Sequence, residues 1–155
     1  MEERFKELNI TIPEVVQPIA AYVPAIRAGD LVFISGQLPI QEGKIVYQGK
    51  LGQDVAINEG KTAARICIIN CLAALKSLVD LNSVEQIVKI TGYINSAADF
   101  YEQAAVLNGA SELLQELWQE KGRHARAAVG VNSLPLNAAC EIEMIVKIQN
   151  VKKAQ

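Results

Sequence analysis

A two-layer α+β domain is what this sequence of 155 residues predicts, and three observations predict it. Two long stretches place apolar residues at steps of three and four, the period of a buried helix stripe. Several shorter stretches alternate apolar and polar residues or are rich in β-branched types, as half-buried strands are. Their order, ββ(β)αβαββ, gives two amphipathic helices to cover one face of one mostly antiparallel sheet. Half of the residues are apolar and 21% are charged, an ordinary globular balance. The length suits one domain spanning residues 1–155, with 1–19 as an N-terminal lead segment.

The first eight residues allow one or two helical turns, after which Pro13 and Pro18 keep the chain extended. Ala21 to Arg27 reads as a strand, Ala28-Gly29-Asp30 as a turn, and Leu31 to Ser35 as a second strand that ends at Gly36. Glu42-Gly43-Lys44 suggests a turn before a short strand over Ile45 to Tyr47. From Asn58, a plausible N-cap, to Val79, the residues Ala64, Ile68, Cys71, Leu75 and Leu78 form one helical stripe. Val84 to Asn95 returns to strand character, with Val88, Ile90 and Ile94 on one face and Lys89, Thr91 and Tyr93 on the other. A second helix falls between Asp99 and Glu120, with Ala110, Leu113, Leu114 and Leu117 inward and a break at Asn108-Gly109. Arg126 to Val131 and Cys140 to Ile148 close the chain as two strands joined through Leu134 to Asn137.

The last strand sends Cys140, Ile142, Met144, Val146 and Ile148 to one face and Glu141, Glu143, Ile145 and Lys147 to the other. On that second face Leu31, Phe33, Ile87, Tyr93 and Ile145 are expected to contribute apolar surface, which favours covering by another subunit.

Net charge is −2, so no overall positive field draws the chain to nucleic acid or anionic membranes. No apolar run approaches a membrane-spanning length. The charged start lacks a signal peptide, and the odd count of cysteines (Cys67, Cys71, Cys140) argues for reduced thiols. The expected location is cytoplasmic. Cys67 and Cys71 are four apart on a predicted helix, but nothing completes a four-ligand set, so they read as small core residues. His124 is the only histidine. Alone it makes neither a metal site nor a triad, and a cap or surface role suits it better. With no phosphate loop and no dinucleotide fingerprint, neither cofactor nor metal is expected.

Arg126 is the residue that invites chemistry. It stands among small residues at the start of an otherwise apolar strand, where a charge is costly to bury unless paired. Two readings follow from the pattern: a structural salt bridge to Glu141 or Glu143, or an anion clamp whose planar fork holds a carboxylate. Glu141 reads equally as an exposed acid, a partner of Arg126, or a base that orients water. Ser35-Gly36-Gln37 either supplies a hydroxyl, N–H groups and close approach to a ligand or simply ends a strand.

Taken together, Ala125-Arg126-Ala127-Ala128-Val129-Gly130-Val131, Leu134-Pro135 and Glu141-Ile142-Glu143 resemble the Rid family of reactive-intermediate (imine) deaminases, also called YjgF-like or L-PSP endoribonuclease-like. Ala21-Tyr22-Val23, Ile34 to Pro39, Ile87 to Thr91 and Asp99-Phe100 extend the match over about residues 20 to 148. The resemblance implies a chorismate-mutase-like fold and a homotrimer with clefts between subunits. It also implies hydrolysis of small 2-imino acids to 2-oxo acids and ammonia. Arg126 would grip the substrate carboxylate and Glu141 would position or activate water, while Tyr22, Ser35, Gly36 and backbone near Ala128 line the cleft. A non-catalytic trimer that binds small carboxylates is the alternative. Endoribonuclease activity is a further one, disfavoured by the acidic balance and the lack of stacking aromatics. Ala98, where many members have Asn, Ala128, where they often have Cys, and Gly122-Arg123-His124, in place of a Pro-containing approach, mark a divergent branch.

Overall fold

The computed structural model describes residues 1–15, 18 and 20–149. Helix α1 (Glu2–Glu7) is followed by strands β1 (Ala25–Ala28), β2 (Leu31–Gln37), β3 (Ile40–Gln41) and β4 (Lys44–Ile45). Helix α2 (Ile57–Lys76), strand β5 (Val84–Asn95), helix α3 (Gln103–Trp118) and strands β6 (Ala125–Val131) and β7 (Cys140–Ile148) complete the order. Five strands form one sheet in the order β1-β2-β7-β5-β6, while β3 and β4 pair separately. Three neighbouring pairs in the main sheet are antiparallel and β5 with β6 is parallel, so the sheet is mixed.

Both long helices lie on one face. Ile68, Leu72 and Leu75 of α2 and Leu113 and Leu114 of α3 are fully buried. Burial of each such side chain is worth roughly 1.5–3 kcal/mol. From the sheet, Ile90, Ile94, Ile142, Met144 and Val146 meet them. The alternation read in β7 is observed along its whole length. All three cysteines are buried and reduced. Among the described residues no helix is long and apolar enough to cross a membrane.

Several expectations are corrected. The first strand starts at Ala25, not Ala21, since the proline at 24 has no N–H to give a ladder. Helix α2 starts at Ile57, one residue before the expected cap, where Glu59 accepts the Ala56 N–H at 2.8 Å. It ends at Lys76, which leaves Leu78 45% exposed. Asn108-Gly109 does not break α3. A Cβ on Gly109 would collide with the Lys61 backbone of α2, so glycine is there to let two helices cross closely. In β5 a register shift falls between Ile87 and Lys89. The extra residue at Val88 turns Ile87 into the core, fully buried, instead of onto the outer face.

Candidate active site

Strand β6 is one of the two edge strands of the main sheet, held parallel to β5 with Arg126 opposite Ile90 and Ala128 opposite Gly92. Ile90 faces the helices, and the Arg126 side chain runs along the same side onto α3. Its Nη1 donates to Asn108 Oδ1 at 2.8 Å and Ser111 Oγ at 3.0 Å, and its Nη2 donates to the Ala104 carbonyl at 3.3 Å. Residues 104, 108 and 111 share one helix stripe. Every one of these acceptors is neutral. Among the described residues no carboxylate pairs with Arg126, and its Nε–H and second Nη2–H have no protein acceptor. The Nε/Nη2 edge is one of the guanidinium edges that a carboxylate engages with two parallel bonds.

Behind Arg126 sits His124. Its Nδ1 lies 2.6 Å from the Gly122 carbonyl and its Nε2 lies 2.9 Å from Ser111 Oγ. A carbonyl only accepts, so Nδ1 carries the proton and Nε2 accepts from the serine hydroxyl. Burial lowers the His124 pKa below its ordinary value of 6.5, the bond to Gly122 opposes this, and the Arg126 charge lowers it further.

The second cluster lies on the uncovered sheet face. Glu141 stands opposite Tyr93 and packs on Gly36, where a Cβ would overlap its Oε1. Gly36 falls in the irregular stretch of β2 between Ile34 and Gln37. Burial raises the Glu141 pKa above its ordinary value of 4.5, and the neighbouring charge of Glu143 raises it further. Tyr93 donates to Glu143 Oε1 at 2.9 Å, and that bond is the main reason its phenol pKa is raised. Ser35 gives its hydroxyl proton to the Val23 carbonyl at 2.7 Å. Tyr22, 56% exposed, lines a groove of about 480 Å³ with Ile26, Phe33, Ser35, Thr91 and Glu143.

Within one chain the two clusters stay apart. Arg126 shares its sheet row with Ile90 and Met144, on the helix side; Glu141 shares its row with Tyr93 and Val129, on the open side. Strand β5 also separates them, which disposes of the salt bridge to Glu141 or Glu143 that the sequence left open. Gly36, Ser35 and Tyr22 accompany Glu141, whereas Ala128 accompanies Arg126. Asn108 and Ser111 escaped the sequence reading because Asn108-Gly109 looked like a helix break. Two polar residues three apart in an apolar helix face were the available sign. No group of three or more His, Cys, Asp or Glu among the described residues is arranged to hold a metal ion.

A family model described as "YjgF/chorismate_mutase-like, putative endoribonuclease" matches residues 2–148. The chain belongs to this family. Protein TCP17 of Trypanosoma cruzi is 37% identical, over 94% of this chain and 92% of the relative. A protein of Dermatophagoides farinae named 2-iminobutanoate/2-iminopropanoate deaminase is 29% identical, over 90% and 95% of the two chains. The crystal structure of Atu1372 from Agrobacterium tumefaciens superposes with a TM-score of 0.90 at 44% identity, covering 96% of this chain and 92% of that one. The YjgF-like α+β fold is thereby established, and the mixed sheet with both helices on one face is this family's fold.

Proposed function

We propose that this YjgF-family chain, acting as one domain per subunit, hydrolyses small 2-imino acids, and the tautomeric enamines, to 2-oxo acids and ammonia. The observation that carries the reading is the Arg126 guanidinium, held by neutral groups on α3 with one edge open. A substrate carboxylate docks on that edge, which fixes the adjacent C2 imine carbon in place. Water adds to C2 as the C=N double bond becomes single, giving a carbinolamine after proton transfer to nitrogen. Collapse of that species moves the hydroxyl proton to nitrogen, breaks the C–N bond, expels ammonia and leaves the C2 carbonyl. Glu141 orients the water and accepts its proton, which it returns to the departing nitrogen. Its raised pKa suits both roles, because a carboxylate of higher basicity takes a proton more readily.

Because Arg126 and Glu141 belong to opposite faces of one chain, the proposal places each site between two copies. Arg126 comes from one and Glu141, Gly36, Ser35 and Tyr22 come from the other, in a homotrimer. Exposed apolar residues support this assembly: Tyr22, Val23, Ile26, Phe33 and Val129 are all more than 40% exposed on or beside the open face. The name of the Dermatophagoides farinae relative supports the substrate class.

The test is to generate 2-iminopropanoate in place from an amino acid and follow its decay. The wild type accelerates decay, and Arg126→Ala and Glu141→Ala each reduce the acceleration at least about tenfold, or ~1.4 kcal/mol. No acceleration by wild type, together with a carboxylate ligand lost on Arg126→Ala, would leave a binding protein in place of the enzyme.

A further inference from the structure

We propose that Ser111 and His124 form a hydrogen-bonded relay that positions the Arg126 guanidinium for its carboxylate ligand. The inference rests on Arg126 being the clamp and adds two positioning residues to it. Direction along the relay is fixed at both ends. Gly122 offers only a carbonyl, so His124 Nδ1–H donates to it; Arg126 Nη1 is only a donor, so Ser111 Oγ accepts from it. The Ser111 hydroxyl proton is then committed to His124 Nε2. A serine oxygen whose own proton is taken up keeps its lone pairs aimed at the guanidinium, and Arg126 Nη1 is pinned between Ser111 and Asn108. What stays without a protein acceptor is the Nε–H and one Nη2–H, where a carboxylate docks.

The surroundings are built to hold the relay. Ser111 is 7% exposed, one of two polar side chains buried among the described residues. Gly122 lies so close to the Leu114 carbonyl of α3 that a Cβ would collide with it, which seats the 122–124 turn directly on the helix. Gln86 of β5 fastens the same turn by donating to the carbonyls of Lys121, at 3.0 Å, and of Arg123. Of the charged groups around the ring, Arg126 on β6 is the one whose field reaches it. From α3 the ring meets neutral Ser111; on its own turn Arg123 ion-pairs with Glu120 at 3.6 Å. On β5, Lys89 lies on the opposite sheet face beside Ile145.

His124 is the only histidine, so its ring resonances in the full chain need no assignment by mutation. The experiment follows the tautomer and pH titration of that ring by NMR, with and without saturating pyruvate, alongside imine turnover. In the wild type the proton sits on Nδ1, and pyruvate raises the ring pKa because its carboxylate offsets the guanidinium charge. Arg126→Gln raises it too and abolishes the response to pyruvate. Ser111→Ala and His124→Phe raise KM about five- to tenfold with a smaller change in kcat, while Ser111→Thr and His124→Gln, which keep a hydroxyl and an acceptor, recover most of it. A purely structural role would not link the ring titration to ligand. A ring unmoved by Arg126→Gln and by pyruvate, or Ser111→Ala within about twofold of wild type in KM, overturns the relay while the clamp survives. Wild-type turnover by Arg126→Gln overturns the clamp, and the relay's function with it.

Discussion

The two faces of the main sheet use the same strands for different ends. Under the helices, Ile90, Ile142, Met144 and Val146 are sealed from water and their identity is set by packing. On the open face the same strands carry Glu141, Glu143 and Tyr93 beside Phe33 of β2, where a half-buried acid and exposed apolar groups coexist without a covering layer among the described residues. Arg126, at the edge where β6 leaves the helix layer, carries a charge from the covered side out to the surface. The contrast teaches that stability is concentrated on one face, while the proposed chemistry falls on the other and at the rim, so substitutions should separate the two.

The largest expected effect is on the covered face. Leu114→Ala should lower stability by about 2–5 kcal/mol in chemical denaturation, with turnover per folded molecule retained. On the open face, Phe33→Asp should leave the fold of a single chain intact and dissociate the proposed homotrimer, read by sedimentation or light scattering. A next, smaller effect concerns Glu141. A carboxyl whose folded pKa is raised binds more protons folded than unfolded, so its contribution to stability falls as pH rises from 4.5 through the folded value. Glu141→Gln should therefore flatten that slope and raise the melting temperature near neutral pH while abolishing turnover. Melting of the wild type that is no less stable at neutral pH for carrying Glu141 would break this trade. The smallest effect is a shift of the acidic limb of kcat/KM. Glu143→Gln removes the neighbouring charge that raises Glu141, so the limb moves to lower pH.

Much of the covered face was legible in the sequence. The stripes of α2 and α3 and the alternation of β7 are periodic, and periodicity is what burial against one layer imposes. Ile87 was misplaced because one extra residue at Val88 reverses the side chains that precede it, and nothing in the composition announces a bulge. Gly109 looked like a break because glycine disfavours helix; a helix crossing through the Lys61 backbone overrides that local preference. At the site, Arg126 and Glu141 stood out singly by their residue type and motif. Their relation did not, because strands consecutive in sequence are not consecutive in the sheet. Placing β5 between β6 and β7 is a long-range choice that no local pattern encodes.

That relation can be tested directly by mixing. Arg126→Ala and Glu141→Ala proteins, each expected to be at least about tenfold impaired alone, are co-refolded in equal amounts and assayed for imine hydrolysis. If every site takes Arg126 from one copy and Glu141 from another, random mixed assemblies regain about a quarter of the wild-type sites and a matching share of activity. Two separately active chains never form in such a mixture, so activity no greater than that of either variant alone, in assemblies shown to be mixed, would contradict a site shared between copies.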